Sequence, residues 1–316
     1  MTDHVPSFEA EIGTAEAVST DVSRETEPVA AEEVTETAVV DEGPLPHPAA
    51  TRVFTVANQK GGVGKTTSTV NVAAALATAG LHVLVIDLDP QGNASTALAV
   101  DHREGVKDVY SAIVEGVPFA EIVQPVSHTP NLWCAPATID LAGAELELAP
   151  LVAREFRLKR ALNEFLEHHK SVHGRPIDYV FIDCPPSLGL LTINAFVAAR
   201  EVLVPIQCEY YALEGLNQLL KTVDLIKDNV NADLRLSTIL LTMYDSRTRL
   251  SQDVAELVYS QYGDIALKTA IPRSVRISEA PSNQQTVLAY DPTSTGAVAY
   301  IQAGRELARR LPAVEA

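Results

Sequence analysis

The chain of 316 residues is 47% hydrophobic and has a formal net charge of −17, which allows one large α/β domain or two small ones with a sizeable core. The charge is uneven, because residues 1–50 hold twelve acidic side chains and one basic one, so the remainder carries only −6 and acidity does not exclude nucleic acid as a partner. The chain opens without the basic and apolar segments of a signal peptide and has no run of 18 apolar residues, which predicts a cytoplasmic protein without a transmembrane helix.

Residues 1–50 are rich in Glu, Val, Ala and Thr and end in the proline-rich segment 43–48. A high net charge with few bulky apolar residues is typical of segments that cannot bury enough surface to fold. We therefore predict a disordered acidic N-terminal tail over 1–50 and one folded domain over 51–316. The tail is either a solvating extension or a docking arm for a partner protein, including a partner at the cell pole.

The folded part alternates between apolar strands and amphipathic helices. A run rich in β-branched residues at 53–57 leads into a glycine-rich turn, a helix is predicted over 66–79, and a second strand follows at 83–86. Further predicted strands lie at 179–182, 202–206 and 238–241, and further helices lie near 144–169, 189–199, 212–229, 251–262 and 294–311. This alternation predicts an α/β fold whose mostly parallel, twisted sheet is covered by helices on both faces.

The turn at 58–67 reads Asn-Gln-Lys-Gly-Gly-Val-Gly-Lys-Thr-Thr and lies between the first strand and the first helix. A phosphate-binding loop requires that context, since glycines let backbone N–H groups approach phosphate oxygens and the helix N-terminus attracts anions. Lys65 is placed to neutralise the β- and γ-phosphates of ATP, and the Thr66 hydroxyl is placed to ligate Mg²⁺. The predicted nucleotide contacts in this loop are Lys60, Gly61, Gly62, Val63, Gly64, Lys65, Thr66 and Thr67.

One position departs from the usual P-loop pattern, because Gln59 stands where a glycine is expected and Lys60 follows it. The resulting deviant Walker A motif, Lys-Gly-Gly-x-Gly-Lys-Thr, resembles the loop of the ParA/MinD superfamily of P-loop NTPases. The resemblance implies that Lys60 crosses a dimer interface and contacts the nucleotide of the partner subunit. A second cation near the γ-phosphate offsets charge that builds up in the transition state, as an arginine finger does, so Lys60 and Lys65 are both predicted to be catalytic.

Two further strand ends carry aspartates. The segment 87–93, Asp-Leu-Asp-Pro-Gln-Gly-Asn, closes the second strand and is similar to the family's second aspartate motif. The resemblance implies that Asp89 orients or activates the attacking water, while Asp87 supports the Mg²⁺ shell. The apolar run at 179–182 ends in Asp183, the form of a Walker B element whose carboxylate holds Mg²⁺.

Candidate adenine and DNA contacts lie in the C-terminal third of the domain. Met243 and Pro272 lie in segments that are similar to those flanking adenine in the family, and Arg247 and Arg276 lie in segments similar to those that carry its sequence-independent DNA contacts. From composition alone, a solvated surface of mixed charge is the alternative for these arginines. For Arg273, beside Pro272, three contact partners remain open: DNA, the nucleotide and the other subunit of the dimer.

The resemblance covers nearly all of 52–311 and narrows to ParA/Soj-type partition ATPases. It implies a ParA-type ATPase domain that uses ATP and Mg²⁺ as cofactors and forms an ATP-dependent homodimer. It further implies that the dimer binds double-stranded DNA of the nucleoid without sequence preference, and that a ParB-like centromere-binding protein stimulates hydrolysis. No helix-turn-helix domain for operator binding fits into residues 1–50, which are too few and too acidic. This favours a chromosomal partition protein over the plasmid class that carries such a domain, while small plasmid partition proteins, which also lack it, remain an alternative.

Two other functions are alternatives to partition. A MinD-like, membrane-associated ATPase would need a C-terminal helix with a bulky apolar face and a basic rim, whereas 299–316 is modest in apolar bulk, so we predict a packing helix and no membrane partner. A purely structural role, with nucleotide as a fixed ligand, is disfavoured by the joint presence of Lys60, Lys65 and Asp89.

Cysteines and histidines are further candidates for site residues. The chain has three cysteines without a paired motif, so Cys184 is predicted to be a buried, inert thiol rather than a cluster ligand. His168, His169 and His173 lie near a predicted helix end, and a solvated terminus is favoured over a metal site because ligands with suitable spacing are missing.

Overall fold

The computed structural model describes residues 43–210 and 212–310. Its central sheet has seven strands in the order β3-β4-β2-β5-β1-β6-β7. All neighbouring strands are parallel except β3 and β4, so the predicted α/β fold with a mostly parallel sheet is confirmed. The strands are β1 (Arg52–Val56), β2 (Val83–Asp87), β3 (Gln124–Pro125), β4 (Leu132–Ala135), β5 (Tyr179–Asp183), β6 (Glu201–Gln207) and β7 (Arg235–Thr242).

Ten α-helices surround the sheet among the described residues. They are α1 (Lys65–Thr78), α2 (Asn93–Ala97), α3 (Ala144–Leu148), α4 (Arg157–His173), α5 (Leu190–Ala198), α6 (Ala212–Asn229), α7 (Arg249–Tyr262), α8 (Val275–Glu279), α9 (Val287–Tyr290) and α10 (Thr295–Arg309). None of them is both long and apolar enough to span a bilayer.

Successive residues of each central strand point to opposite faces of the sheet, and each face has its own apolar core. On β5, Tyr179 and Phe181 pack with α1, α2 and α10, whereas Val180 and Ile182 pack with α4 and α5. A third cluster lies between β6, β7, α6 and α7. Strands buried on both faces must be apolar throughout, which is why the sequence signal for them was strong.

The last helix packs closely on the first. A Cβ added at Gly304 of α10 would lie only 3.0 Å from Cβ of Ala75 on α1, so the two helices approach at a contact that only a residue without a side chain permits. Tyr300 and Leu307 of α10 are buried in the same core. The prediction of a packing helix at this position is therefore confirmed.

The structure places the start of the domain earlier than the predicted boundary at residue 50. Leu45 is buried in the core, Arg305 donates a hydrogen bond to the Gly43 carbonyl at 2.9 Å, and Nδ1 of His47 lies 2.9 Å from Oδ1 of Asp178. A single buried leucine in a polar, proline-rich segment gives too weak a pattern to be recognised. The rest of the predicted tail, 1–42, lies outside the described residues.

Two other features differ from the predicted elements. The helix expected near 144–169 is two helices, because the chain leaves the helical path between α3 and α4, where Pro150 lies and Ala153 has a positive φ of 53°. Strands β3 and β4 were missed, since they are two and four residues long and too short for a periodic signal.

The prediction of a solvated histidine cluster is wrong for His169. This residue continues the buried stripe Leu158, Leu162 and Phe165 of α4, and its ring lies 4.7 Å from that of Trp133. Nε2 of His169 is buried without a hydrogen-bond partner among the described residues. Among residues 43–210 and 212–310, no three or more His, Cys, Asp or Glu side chains are grouped so that they could hold a metal ion.

Candidate active site

The loop between β1 and α1 has the backbone of a phosphate cradle. Gly62 and Gly64 have φ values of 75° and 86°, a left-handed conformation that side chains disfavour. A Cβ at Gly61 or Gly62 would meet no atom within 4 Å, so this side of the loop faces open space. The Thr242 hydroxyl donates to the Val63 carbonyl at 2.8 Å, which fixes the far side of the loop to β7.

Lys65 begins α1 and its side chain is buried. Its Nζ donates to the Lys60 carbonyl at 3.1 Å, which folds the ammonium back over the loop. Burial lowers the pKa of Lys65, while the nearby carboxylates of Asp183 and Asp89 act in the opposite direction. A cation held in a glycine-rich loop and surrounded by little water interacts strongly with a phosphate.

Two aspartates face each other at the carboxyl edge of the sheet. Asp87 ends β2 and Asp183 ends β5, and the two are register partners. The Thr66 hydroxyl donates to Oδ2 of Asp183 at 2.7 Å, and the Ser95 hydroxyl donates to Oδ2 of Asp87 at 2.7 Å. Both side chains are fully buried. Burial raises the pKa of each carboxyl, and for Asp183 the neighbouring Asp87 is the next largest cause.

These residues fit a magnesium ion bound together with ATP. The pKa values of both buried carboxyls stay raised although Lys65 lies near Asp183, so an additional cation would stabilise their charged forms. Carboxylate and hydroxyl oxygens are the ligands that Mg²⁺ prefers. Asp183 and Thr66, already in contact, would hold the ion, with Asp87 behind them. The ion would supply charge neutralisation for the phosphates.

A cavity of about 400 Å³ lies beside the loop. Gly61, Gly62, Gly64, Lys65, Thr66 and Thr67 line one side of it, and Asp89 and Met243 reach it from other elements. Asp89 is half-buried and accepts a hydrogen bond from the Gln91 amide at 3.0 Å. The cavity therefore brings together a phosphate cradle, a cation and a carboxylate that can take a proton from water.

Not every predicted nucleotide contact lines this cavity. Pro272 does not, because the backbone around it pairs with Tyr244, whose N–H donates to the Ile271 carbonyl at 2.9 Å. Pro281 and Pro186 line it instead. Pro186 lies three residues after Asp183, and Pro281 lies five residues after Arg276, but nothing local distinguishes a cavity-lining proline from any other.

Lys60 points away from the cavity of its own chain. Its Nζ forms an ion pair with Glu209, which lies two residues beyond the end of β6. The Lys60 amide donates to Oδ1 of Asn58 at 3.0 Å, so the backbone of the loop is fixed while the side chain extends. Sequence analysis missed Glu209, although an acidic residue just after a strand at the carboxyl edge of a sheet is a usable signal.

Arg247 and Arg276 lie on the surface and apart from the cavity. Arg247 makes two parallel hydrogen bonds of 2.8 Å to Asp245, and Arg276 pairs with Glu279 and Asp291. Exposed ion pairs of this kind contribute little to stability. Both guanidinium groups can therefore exchange their carboxylate partners for phosphate.

Comparison with known proteins places this chain in a family. A family profile described as AAA domain matches residues 51–236. Sporulation initiation inhibitor protein Soj of Bacillus subtilis (strain 168) is 48% identical over 257 residues, which cover 81% of this chain and 98% of that protein. Chromosome partitioning protein ParA of Myxococcus xanthus (strain DK1622) is 45% identical over 259 residues, which cover 82% and 88% respectively.

A solved structure with bound nucleotide has a similar fold. Cobyrinic acid a,c-diamide synthase from Mycobacterium smegmatis, with bound ATP analog and magnesium, is 39% identical and has a TM-score of 0.68. The match covers 82% of this chain and 93% of that one. Fold and site together define a P-loop ATPase of the deviant Walker A class that uses ATP and Mg²⁺. The chain belongs to the ParA/Soj family of chromosome-partitioning ATPases.

Proposed function

We propose that two copies of this ATPase close over their nucleotides, each lending Lys60 to the site of the other, and that the closed dimer binds DNA without sequence preference. The observation that carries this is the position of Lys60. Lys65 and Asp89 line the cavity of their own chain, whereas the Lys60 side chain is directed to Glu209. A site that lacks its second cation until another subunit supplies it hydrolyses slowly when alone.

Within each site the roles follow from the contacts. Lys65 and the loop amides bind and orient the phosphates, and Asp183 with Thr66 holds the metal ion. Asp89 accepts a proton from the attacking water, since its carboxylate lines the cavity, whereas those of Asp87 and Asp183 are fully buried. Met243 bounds the same cavity and is placed to contact the adenine, a role that Pro272 would share only after a local change.

The dimer also makes DNA binding depend on ATP. Arg247 and Arg276 offer two phosphate contacts per subunit, and closing two subunits doubles the number on one rigid body, which raises affinity and steepens its salt dependence. We propose that this dimer associates with the nucleoid, and that a ParB-like centromere-binding protein stimulates hydrolysis and so releases it.

Mixing two inactive variants tests the shared site. The Lys60→Ala variant keeps Asp89 but has no lysine to supply to the active site of its partner subunit. The Asp89→Ala variant keeps Lys60 but cannot hydrolyse ATP in its own site. Each should turn over ATP poorly alone, and their mixture should regain activity, because a mixed dimer contains one complete site. Lys107→Ala is the matched control, since Lys107 is also an exposed lysine in an ion pair. A mixture as inactive as its components, or full turnover by Lys60→Ala, would refute the proposal.

A second experiment tests the DNA contacts. Arg247→Glu and Arg276→Glu should weaken retention on DNA and flatten its salt dependence, while ATP-dependent dimerisation stays intact. Arg103→Glu is the control, because Arg103 is 85% exposed and pairs with Asp101 just as the equally exposed Arg247 pairs with Asp245. Equal loss in the control would mean that net charge alone matters.

A further inference from the structure

Asp89 belongs to a tight turn that its own sequence favours. In residues 89–92, Asp-Pro-Gln-Gly, the Gly92 amide donates to the Asp89 carbonyl at 2.9 Å, and Asp, Pro and Gly are preferred at the first, second and last positions of such a β-turn. Oδ1 of Asp89 accepts a hydrogen bond from the Gln91 amide at 3.0 Å. The position of these four residues, which we name the Asp89 turn, therefore sets where the carboxylate lies in the nucleotide cavity.

His102 lies against the last residue of the Asp89 turn. Gly92 has a positive φ of 63°, and a Cβ added there would lie 3.0 Å from Nδ1 of His102 and 3.1 Å from the Ala137 carbonyl oxygen. Both distances are well below an ordinary van der Waals contact. The imidazole and the carbonyl therefore enclose the α-carbon of Gly92 and leave little room for a side chain.

A hydrogen bond joins the same imidazole to α2. Nε2 of His102 lies 3.1 Å from Oγ1 of Thr96, and the Thr96 hydroxyl donates to the Gly92 carbonyl at 3.0 Å. Because the hydroxyl proton is used at that carbonyl, the imidazole is the donor and Nε2 carries the proton. Thr96 also lines the nucleotide cavity. His102, Thr96 and Gly92 thus form one hydrogen-bonded unit at the end of the Asp89 turn.

The loop that carries His102 is fixed to the edge strand β3. The Asp101 amide donates to Oε1 of Gln124 at 2.9 Å, and Nε2 of Gln124 donates to the Asp101 carbonyl at 2.7 Å. This reciprocal pair holds the backbone next to His102, whose side chain is half-buried. The imidazole is therefore held from outside the Asp89 turn and acts as a fixed support for it.

We propose that His102 is a positioning residue for ATP hydrolysis, which holds the Asp89 turn through Gly92 and Thr96 and so orients the Asp89 carboxylate. This inference rests on the proposed function, in which Asp89 accepts a proton from water. His102 does not line the nucleotide cavity, so it acts through the turn and not on the nucleotide. Orientation matters here because a general base works only within hydrogen-bond reach of the proton that it accepts.

Loss of the imidazole should lower turnover and leave nucleotide binding intact. His102→Ala is expected to reduce kcat by about ten- to a hundredfold, as a misplaced catalytic group does, while ATP affinity and ATP-dependent dimerisation stay as in wild type. His102→Gln keeps an N–H donor and should retain more turnover than His102→Ala. His128→Ala is the control, since His128 is an exposed histidine on the turn between β3 and β4, and it should turn over ATP as wild type does.

A double variant separates positioning from general damage to the fold. If His102 acts through Asp89, adding His102→Ala to Asp89→Asn should not lower the residual single-turnover rate further, because no carboxylate is left to orient. Two losses that add would show that His102 acts by another route and would overturn the inference.

The single variants distinguish this inference from the function on which it rests. Wild-type turnover in His102→Ala, or an equal loss in His102→Ala and His102→Gln, would overturn the role of His102 while a slow Asp89→Asn variant left the proposed function standing. Wild-type turnover in Asp89→Asn would overturn both.

Discussion

Asp87 and Asp183 are register partners at the carboxyl ends of β2 and β5, so two fully buried carboxylates meet where the phosphate loop begins. Most proteins avoid such a pair, because burial and mutual repulsion both disfavour the charged forms. Here the pair lies beneath Thr66 and Lys65, where magnesium and ATP would restore the balance of charge. The free energy of unfolding of the nucleotide-free protein is lower as a result. Binding of magnesium and ATP is stronger, because it offsets the repulsion between the two carboxylates.

Removing one of these charges should therefore stabilise the protein and impair its function. Asp183→Asn is expected to raise the melting temperature without magnesium or nucleotide, by roughly 2–4 °C for each kcal/mol gained, and to weaken magnesium-dependent ATP binding. Asp108→Asn is the control, because Asp108 is also buried but the backbone amides of Ser111 and Thr138 donate to its two oxygens, and the NH2 group of an asparagine cannot accept from a backbone amide. The donors to Asp183 are the hydroxyls of Thr66 and Thr69, which can turn and accept instead, so Asp108→Asn should lose stability where Asp183→Asn does not. A melting temperature of Asp183→Asn below that of wild type would contradict the account.

Asp89 should be needed for hydrolysis but not for binding. Asp89→Asn removes the carboxylate that accepts the proton and leaves the cradle intact, so turnover should fall by about 10²–10⁴-fold, the usual contribution of a general base. ATP affinity should change little. Lys65→Ala is the complementary variant, in which ATP binding itself should be lost, and measuring both by fluorescent-nucleotide titration separates the roles. Wild-type turnover in Asp89→Asn would remove Asp89 from the mechanism.

The ion pair between Lys60 and Glu209 should oppose dimer formation. Before Lys60 can reach another subunit it must leave Glu209, so Glu209→Gln is expected to strengthen ATP-dependent dimerisation and raise basal turnover. Glu121→Gln, which removes the partner of Lys107, should change neither. Sedimentation at several protein concentrations measures the dimer affinity, and weaker dimerisation of Glu209→Gln would show that Glu209 serves the dimer rather than restraining it.

Burial of His169 should make stability depend on pH on the acidic side. Burial, together with the smaller effects of His173, His82 and His168, lowers the pKa of His169 to about 4. Below about pH 6.5, the ordinary pKa of histidine, the unfolded chain binds a proton at His169 that the folded protein excludes. The free energy of unfolding therefore has its full value above that pH and falls as the pH is lowered towards 4. Burial lowers the pKa of His82 as well, with Arg175 acting in the same direction and Asp178 against it.

His169→Leu should therefore lose less free energy of unfolding between pH 7 and pH 5 than wild type does. Urea denaturation at both pH values measures the difference. His168→Leu is the control, because His168 is exposed on the same helix and has the smallest of the effects on the pKa of His169, so this variant should change the pH dependence much less. An unchanged pH dependence in His169→Leu would mean that the buried imidazole takes up its proton in the folded state.

The sequence was sufficient wherever the determinants were local. The phosphate loop, the buried strands β1, β2, β5 and β6 and the aspartates that end two of them are contiguous patterns, so their placement could be predicted. The contact of Thr66 with Asp183 also follows, since parallel strands bring their carboxyl ends to one edge.

Features that depend on distant segments were not predictable. Leu45 is buried because α10 and β5 lie beside it, and His169 is buried because Trp133 on the short strand β4 covers it. Pro281 lines the cavity and the predicted Pro272 does not, because the backbone beside Pro272 pairs with Tyr244. Each of these outcomes is set by tertiary contact rather than by local propensity.

The mass of the protein in solution tests the central claim most directly. With Asp89→Ala blocking hydrolysis, light scattering at saturating ATP and magnesium should give twice the mass of one chain, and with ADP the mass of a single chain. Adding Lys60→Ala to that variant should weaken the dimer. A single-chain mass at saturating ATP and magnesium would contradict the account, because no second subunit would then be present to supply Lys60.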